Sequence, residues 1–368
     1  MPGLNQEKHP LPKEKNRVDG DVSMGAMSVA LKDFRSVLVV GGAGYIGSHM
    51  VKALRKAGFS PLVLDNLSCG YRDAVSDVPL IVGNAGDQHV LDEVFSRYPI
   101  ATVMHFASFI QVGESVTNPG MYYENNVSET VGLLNGMIRH GIINFIFSST
   151  AAIFGNPRYV PIDERHPSSP INPYGRSKLM IEQMLDDYEL AHGLKSVCLR
   201  YFNAAGADPD GELGERHQPE THLIPLILQV ASGRRTAISV NGRDYDTPDG
   251  TCIRDYIHVS DLCDAHLLAL ERLIGKGMGG RFNLGNGKGY SIAEVIQAAE
   301  RVTGRAITQI EAPRRMGDPP SLIADSTLAR ATLGWEPAYS DIDAIIAHAW
   351  QWELKVAGIS VHVQRNTQ

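Results

Sequence analysis

The sequence predicts an α/β fold: a doubly wound parallel sheet with a smaller α/β substrate lobe on its C-terminal side. Three observations predict it. Apolar runs of strand length alternate with amphipathic stretches of helix length, the order that a parallel sheet flanked by helices requires. The first of these runs leads straight into a glycine-rich turn and a helix start. After Asn203 the alternation gives way to a loop-rich stretch, which marks a second lobe.

The elements follow in order. Residues 1–35 mix Pro, Lys, Glu, Asp and Asn with no sustained apolar period, and read as a flexible N-terminal extension. Strand-like runs follow at 37–40, 62–64, 80–82, 102–106, 145–147 and 196–199. Residues 45–57 place Ile46, Met50, Val51 and Leu54 on one helical face, and 177–190 do the same with Leu179, Ile181, Met184 and Leu185. Both helices are expected to pack on the sheet. Residues 36–203 thus form the first domain. Residues 204–368 form mainly the second, with a loop at 206–220, a helix at 223–231 and a Gly-, Asp- and Pro-bearing segment at 241–250.

Composition narrows the function. With 43% hydrophobic and 20% charged residues the 368-residue chain can bury a large core, so it is neither disordered nor fibrous. Its 34 basic against 41 acidic residues give a net charge of −7, which argues against nucleic acid as a partner and leaves any anionic ligand to local arginines and helix N-termini. Cys69, Cys198, Cys252 and Cys263 form no Cys-x-x-Cys pair, so reduced thiols, a cytoplasmic location and no structural zinc are expected. No apolar stretch approaches the roughly 20 residues of a membrane helix, and no signal-peptide core is seen, so no membrane partner is expected.

The segment Val40-Gly41-Gly42-Ala43-Gly44-Tyr45-Ile46-Gly47 satisfies both G-x-G-x-x-G and G-x-x-G-x-x-G. In either spacing, glycines let backbone N–H groups and a helix N-terminus approach a pyrophosphate. A glycine turn alone also ends strands for steric reasons. Here Asp65 follows a second strand, where a carboxylate can accept hydrogen bonds from the adenine ribose hydroxyls. This makes the first domain Rossmann-type. The acid also favours NAD over NADP, whose 2′-phosphate it would repel, with Arg72 the only nearby base.

Tyr174-Gly175-Arg176-Ser177-Lys178 sets a phenol and an ammonium four residues apart, on one face of a helix. Forming a tyrosinate at pH 7 costs about 4 kcal/mol, and a neighbouring cation lowers that cost. The same pair on a plain surface helix would mean little. It follows a strand ending in Ser148-Ser149-Thr150, so Thr150 and Tyr174 can both reach one substrate hydroxyl, as proton abstraction coupled to hydride loss needs.

With these residues in view, the sequence resembles the extended short-chain dehydrogenase/reductases, and within them the UDP-glucose (UDP-galactose) 4-epimerases. The likeness spans about 37–352. It rests on GGAGYIGSH (41–49), LDNLS (64–68), HFA…VGES (105–115), YYENNV (122–127), FIFSSTAAIFG (145–155), NPYGRSKLM (172–180), LRYFNAAGA (199–207), DGTCIRDYIHVSDL (249–262), FNLGNGKGYS (282–291) and APRRMGD (312–318). The resemblance implies tightly bound NAD, a UDP-sugar in the cleft, a homodimer, and segments near 254–288 that return to the first domain. It implies NAD contacts from Gly41, Gly44, Tyr45, Ile46, Gly47, Asp65, Asn66, Phe106, Ala107, Asn126, Ser148, Tyr174, Lys178 and Tyr201. Tyr174 would be the base, Lys178 would tune it, and Thr150 would assist at the sugar 4-hydroxyl. Substrate contacts would come from Thr150, Tyr174, Asn203, His222, Leu223, Arg254, Arg315, Asp318 and Leu322, the two arginines holding the diphosphate.

Several positions depart from the family pattern. Ile110 replaces a lysine that meets an NAD phosphate, Asn84 an aspartate at the adenine, Asn241 an aromatic on uracil, and His222 an asparagine near the sugar and diphosphate. Leu322 is intermediate between the bulky tyrosine of some members and the smaller residue of those accepting N-acetylated sugars. A 4,6-dehydratase would carry Asp-Glu where Ala151 and Ala152 stand, so no acid is present to expel water. Epimerases of UDP-N-acetylglucosamine, UDP-pentoses or UDP-uronates remain as alternatives, as does a non-catalytic NAD-sensing protein. No metal is expected, because the histidines are scattered and His217 to His222 is not a usual ligand spacing.

Overall fold

The computed structural model describes residues 35–315 and 318–359; the N-terminal extension expected at 1–35 lies outside them except for Arg35. In chain order the strands are β1 (Ser36–Val40), β2 (Ser60–Asp65), β3 (Leu80–Val82), β4 (Thr102–His105), β5 (Asn144–Thr150), β6 (Lys195–Tyr201), β7 (Asn203–Ala205), β8 (Ile238–Asn241), β9 (Ile253–His258), β10 (Gly280–Leu284), β11 (Gly289–Ser291), β12 (Gln309–Ala312) and β13 (Ser321–Leu322). The helices are α1 (Tyr45–Lys56), α2 (Gln88–Arg97), α3 (Val112–Thr117), α4 (Pro119–Tyr122), α5 (Glu129–Arg139), α6 (Pro173–His192), α7 (Leu223–Ala231), α8 (Val259–Lys276), α9 (Ile292–Thr303), α10 (Thr327–Leu333) and α11 (Ile342–Val356).

Seven parallel strands make the main sheet in the order β10-β6-β5-β4-β1-β2-β3. Both faces are covered, so the strands are apolar throughout and not alternating. Val37, Val39, Met104, Ile146 and Val197 face α1 and α8, with Trp335 closing that layer. Leu38, Val40, Val103, Phe145 and Phe147 face α2, α5 and α6. The chain leaves β1 toward β2 and β3, then returns to β4 on the other side. This reversal puts a crevice at the carboxyl ends of β1 and β4, where open α/β sheets bind ligands.

The second lobe has its own core of α7, α9 and α11 packed on β8 and β9, with Ile227, Val295 and Ile345 at its centre. Its sheet runs β11-β9-β13, and β7 also pairs with β9. The carboxylate of Asp255, fully buried on β9, accepts the backbone N–H groups of Asn286 (2.8 Å), Gly287 (3.0 Å) and Ala324 (3.1 Å), fixing the loops beside this sheet.

Candidate functional site

The glycine turn is shaped by close approach. Gly41 has φ +78°, and a Cβ there would lie 2.5 Å from the Ala107 amide nitrogen; a Cβ on Gly47 would lie 2.2 Å from the Gly41 carbonyl oxygen. Both positions therefore exclude side chains. A Cβ on Gly44 meets only the Gly41 oxygen, at 3.4 Å. Gly44 is the N-cap of α1, provides no side-chain acceptor, and is followed by no acidic residue in the first turn. The first-turn N–H groups and the positive end of the helix are thus left for an anion.

Asp65 ends β2 beside this turn. Its two carboxylate oxygens accept the N–H of Ala43 (2.9 Å) and of Leu67 (2.8 Å), while burial pushes its pKa up from the ordinary carboxylate range. The next residue, Asn66, donates to Asn84 Oδ1 at 2.9 Å, so the unexpected asparagine at 84 is paired with a residue expected to contact the cofactor. Glycine cradle, uncapped helix and buried carboxylate together fit a dinucleotide.

The second half of the site lies at the ends of β4 and β5 and the start of α6. Asn172 caps α6 through Gly175 N–H (2.8 Å) and Pro173 occupies its first turn. The amphipathic run read over 177–190 thus extends back to Pro173, and Tyr174 lies in the first turn of the helix that was expected to carry it with Lys178. A Cβ on Gly175 would meet the Ala152 oxygen at 2.5 Å; the bare backbone lets α6 press on the turn that follows Thr150. Tyr174 is half-buried; burial raises the phenol pKa and the nearby Thr150 hydroxyl lowers it. One turn on, Lys178 is buried, donates to the Ser148 carbonyl (2.7 Å) and Ser108 Oγ (2.8 Å), and lies 4.7 Å from the centre of the Phe147 ring. Burial pulls its pKa down to about 7. Ser108 carries no sequence signal, being a lone polar residue in a loop.

Other expected cofactor residues surround these. Phe106 and Ala107 donate their N–H groups to the Val40 carbonyl, tying β4 to β1. Tyr45 donates to the Gly206 carbonyl (2.7 Å), Ile46 packs on the α1 side of the sheet, and Tyr201 is bonded to His266 (2.6 Å). Asn126 is buried and braces the site: it exchanges both amide groups with the Phe109 backbone and donates to Ser177 Oγ at 3.1 Å. Ile110, where a phosphate-binding lysine was expected from the family pattern, is exposed.

Of the residues expected on the substrate side, Asn203, Arg254 and Leu322 lie on the small sheet. Asn203 on β7 donates to the Asp255 carbonyl (3.1 Å), and Arg254 on β9 is buried, bonded to Asp318 (3.1 Å) and to the Ile253 carbonyl (2.7 Å). Leu322 on β13 pairs in register with Arg254 and packs on Ala151, Ile153 and Phe154, the segment after Thr150. Arg315 is exposed, with its carbonyl accepting the Asp318 N–H, and Asn241 ends β8. His222 and Leu223 begin α7.

His217 and His222, set aside as ligands on their spacing, come together with Glu215 and Glu220. The sequence signal was a repeated Glu-x-His, Glu215-x-His217 and Glu220-x-His222.

Comparisons with known proteins agree with this geometry. The sequence profile of the NAD dependent epimerase/dehydratase family matches residues 37–285. A UDP-glucose 4-epimerase of Halalkalibacterium halodurans is 53% identical over 317 residues, covering 86% of this chain and 95% of its own. The crystal structure of UDP-glucose 4-epimerase from Brucella ovis in complex with NAD superposes with a TM-score of 0.84 at 51% identity, covering 86% of this chain and 97% of that one. That from Bifidobacterium longum in complex with NAD+ and UDP gives 0.83 at 38% identity, covering 87% and 98%.

Proposed function

The chain belongs to the NAD dependent epimerase/dehydratase family, and from that premise we propose that it interconverts UDP-galactose and UDP-glucose by inverting carbon 4 of the sugar. The observation that carries this reading is the convergence of Tyr174, the neighbouring Thr150 and buried Lys178 beside a glycine turn with an uncapped helix. Gly41, Gly44, Tyr45, Ile46 and Gly47 would hold the NAD pyrophosphate, Asp65 and Asn66 its adenine ribose, and Phe106, Ala107, Ser148, Lys178 and Tyr201 its nicotinamide half, with Asn126 bracing the wall. When bound, NAD supplies a hydride acceptor that also returns the hydride.

Tyr174 takes the proton of the sugar 4-hydroxyl and later gives it back, with Thr150 holding that oxygen. Lys178, held by Ser148 and Ser108, lowers the cost of the phenolate by its charge. Oxidation at C4 avoids removing an unactivated C–H proton. The 4-keto sugar turns about its bond to the diphosphate while Arg254 and Arg315 anchor UDP, Asp318 meets its ribose, and Asn203, His222 and Leu223 line the diphosphate side. Binding strength is thus concentrated on UDP, leaving the hexose free to turn. Leu322 forms the wall that sets which sugars fit.

The protein is also proposed to be a cytoplasmic homodimer. Four unpaired cysteines support a reducing compartment. Val112 and Val116 on α3 and Met180 on α6, exposed on helices that pack together, support a partner surface. Among the described residues no helix is long and apolar enough to cross a membrane.

The test uses protein purified without added cofactor. One portion is denatured and assayed for released NAD; the rest is incubated with UDP-galactose, UDP-N-acetylgalactosamine and UDP-arabinose, and products are resolved by chromatography. Conversion of UDP-galactose to UDP-glucose, lost in Tyr174→Phe, is expected. Bound NAD with no conversion of any sugar would move the protein to a dehydrogenase or an NAD sensor.

A further inference from the structure

The segment that joins β7 to α7 runs from the small sheet to the first helix of the second lobe. Among the described residues, it holds the one group of side chains that gathers metal-ligating atoms: Glu215, His217, Glu220 and His222, each offering one atom, all within 4.8 Å of one another. His222 Nδ1 lies 2.8 Å from Glu215 Oε1 and 3.0 Å from Glu220 Oε1; His217 Nδ1 lies 3.1 Å from Glu215 Oε1 and 3.6 Å from Glu220 Oε2. Zinc bonds of 2.0–2.1 Å in tetrahedral array set ligand atoms about 3.3 Å apart. The four separations straddle that value.

Two further observations point to a ligand. His217 Nδ1 is shielded from solvent yet makes no well-aligned hydrogen bond, although oxygens of Glu215 and Glu220 lie 3.1 Å and 3.6 Å away. The carboxylates of Glu215 and Glu220 are both 6% exposed, and the nearest cationic side chain in the segment, Arg216, is turned away to Asp73. Two shielded carboxylates sharing a pocket need a positive charge between them, which protonated His217 and His222 or a bound cation can supply.

We propose that Glu215, His217, Glu220 and His222 form a four-ligand structural site for a zinc-class divalent cation. Two imidazole nitrogens and two carboxylate oxygens suit zinc better than calcium or magnesium, which take oxygen ligands in larger number. The ion closes the connecting segment into a loop. That loop abuts the cofactor site: the His217 ring meets the Tyr45 ring edge-on with centroids 6.4 Å apart, and His222 is the N-cap of α7. The cation therefore ties the second lobe to the first residue after the glycine turn.

The test uses tag-free full-length protein stripped with a chelator and then given Zn²⁺ alone. One zinc per chain is expected after gel filtration, with a rise in Tm, and Co²⁺ in its place gives the intense visible absorption of a tetrahedral site. Glu215→Gln and His217→Gln are each expected to weaken Zn²⁺ binding at least about 100-fold, ligand loss costing no less than loss of a supporting contact. Cys69→Ser, which removes the exposed thiol, keeps the binding. In chelator, His217→Gln and the native chain are expected to melt together. Zinc binding that survives in both Gln variants overturns the proposal, as does a stripped protein that takes up no zinc. A His217→Gln protein that melts earlier than the native chain in chelator also overturns it, since the cluster is then an ion-pair network held by protons.

Discussion

Two glycines of one turn, three residues apart, are expected to fail differently when a methyl group is added. At Gly47 the new carbon lies 2.2 Å from the Gly41 oxygen and 2.8 Å from Gly42 Cα, both backbone atoms that no side-chain rotation can move. The start of α1 must shift by about 1 Å, a displacement of the kind that costs about 1–3 kcal/mol in a packed interior. The gain in helix propensity from glycine to alanine returns about 1 kcal/mol. Gly47→Ala is therefore expected to lose up to about 2 kcal/mol of stability. At Gly44 the backbone is already at φ −78°, open to alanine, and the added carbon meets only one atom at 3.4 Å. The NAD-free protein should stay within about 0.5 kcal/mol of native. Its methyl group nonetheless stands at the helix N-cap, so NAD binding should fall at least tenfold, about 1.4 kcal/mol. Urea unfolding of NAD-stripped protein gives the first quantity and NAD titration by fluorescence the second. If Gly44→Ala carries as much NAD as the native chain, the reasoning that places the phosphates on this turn is wrong.

Three other outcomes can be checked directly. Removing the carboxylate in Asp65→Ala frees the Ala43 N–H and the charge that repels a 2′-phosphate, so the NAD over NADP preference should collapse in binding titrations; an unchanged preference would count against the ribose role. Burial holds His49 and His266 at about 4 and His105 and His258 at about 3, so the unfolded chain binds more protons below its ordinary value near 6.5. Stability is then lost as pH falls from 6.5, with a limiting slope of about 4 kcal/mol per pH unit after the opposing effect of Asp255, raised to about 6; a urea midpoint unchanged between pH 6.5 and 5.5 would contradict it. On the alkaline side Lys178, held at about 7, makes NAD-free protein gain up to about 1.4 kcal/mol per unit above pH 7 relative to Lys178→Met, and parallel pH profiles for the two would refute that burial.

The sequence announced the sheet through its apolar runs, and β3 lies where 80–82 was read. The apolar run at 145–147 marks only the middle of β5, and the strand ends in Ser148-Ser149-Thr150 as the sequence was read, these three paired in register with Leu199, Arg200 and Tyr201. Ser149 also bonds to the buried carboxylate of Glu182, which is itself matched by Arg200. Long-range pairing of this kind leaves no local pattern. The start of α6 was legible in Asn172-Pro173, a cap and first-turn signal that periodicity alone passed over. Strand β13, two residues long, has too little length for any pattern, yet it brings Leu322 opposite Arg254. The histidine cluster was missed because spacing was judged between histidines only.

Strand β10 has a consequence for how the protein is made. It closes the main sheet by pairing Gly280 through Leu284 with Val197 through Tyr201, after the chain has already made its first excursion into the second lobe. A nascent chain on the ribosome therefore exposes the open rim of β6 until residue 284 has emerged. During that interval an apolar edge waits for a partner that another chain could supply. Cutting the gene between the lobes would make the wait permanent.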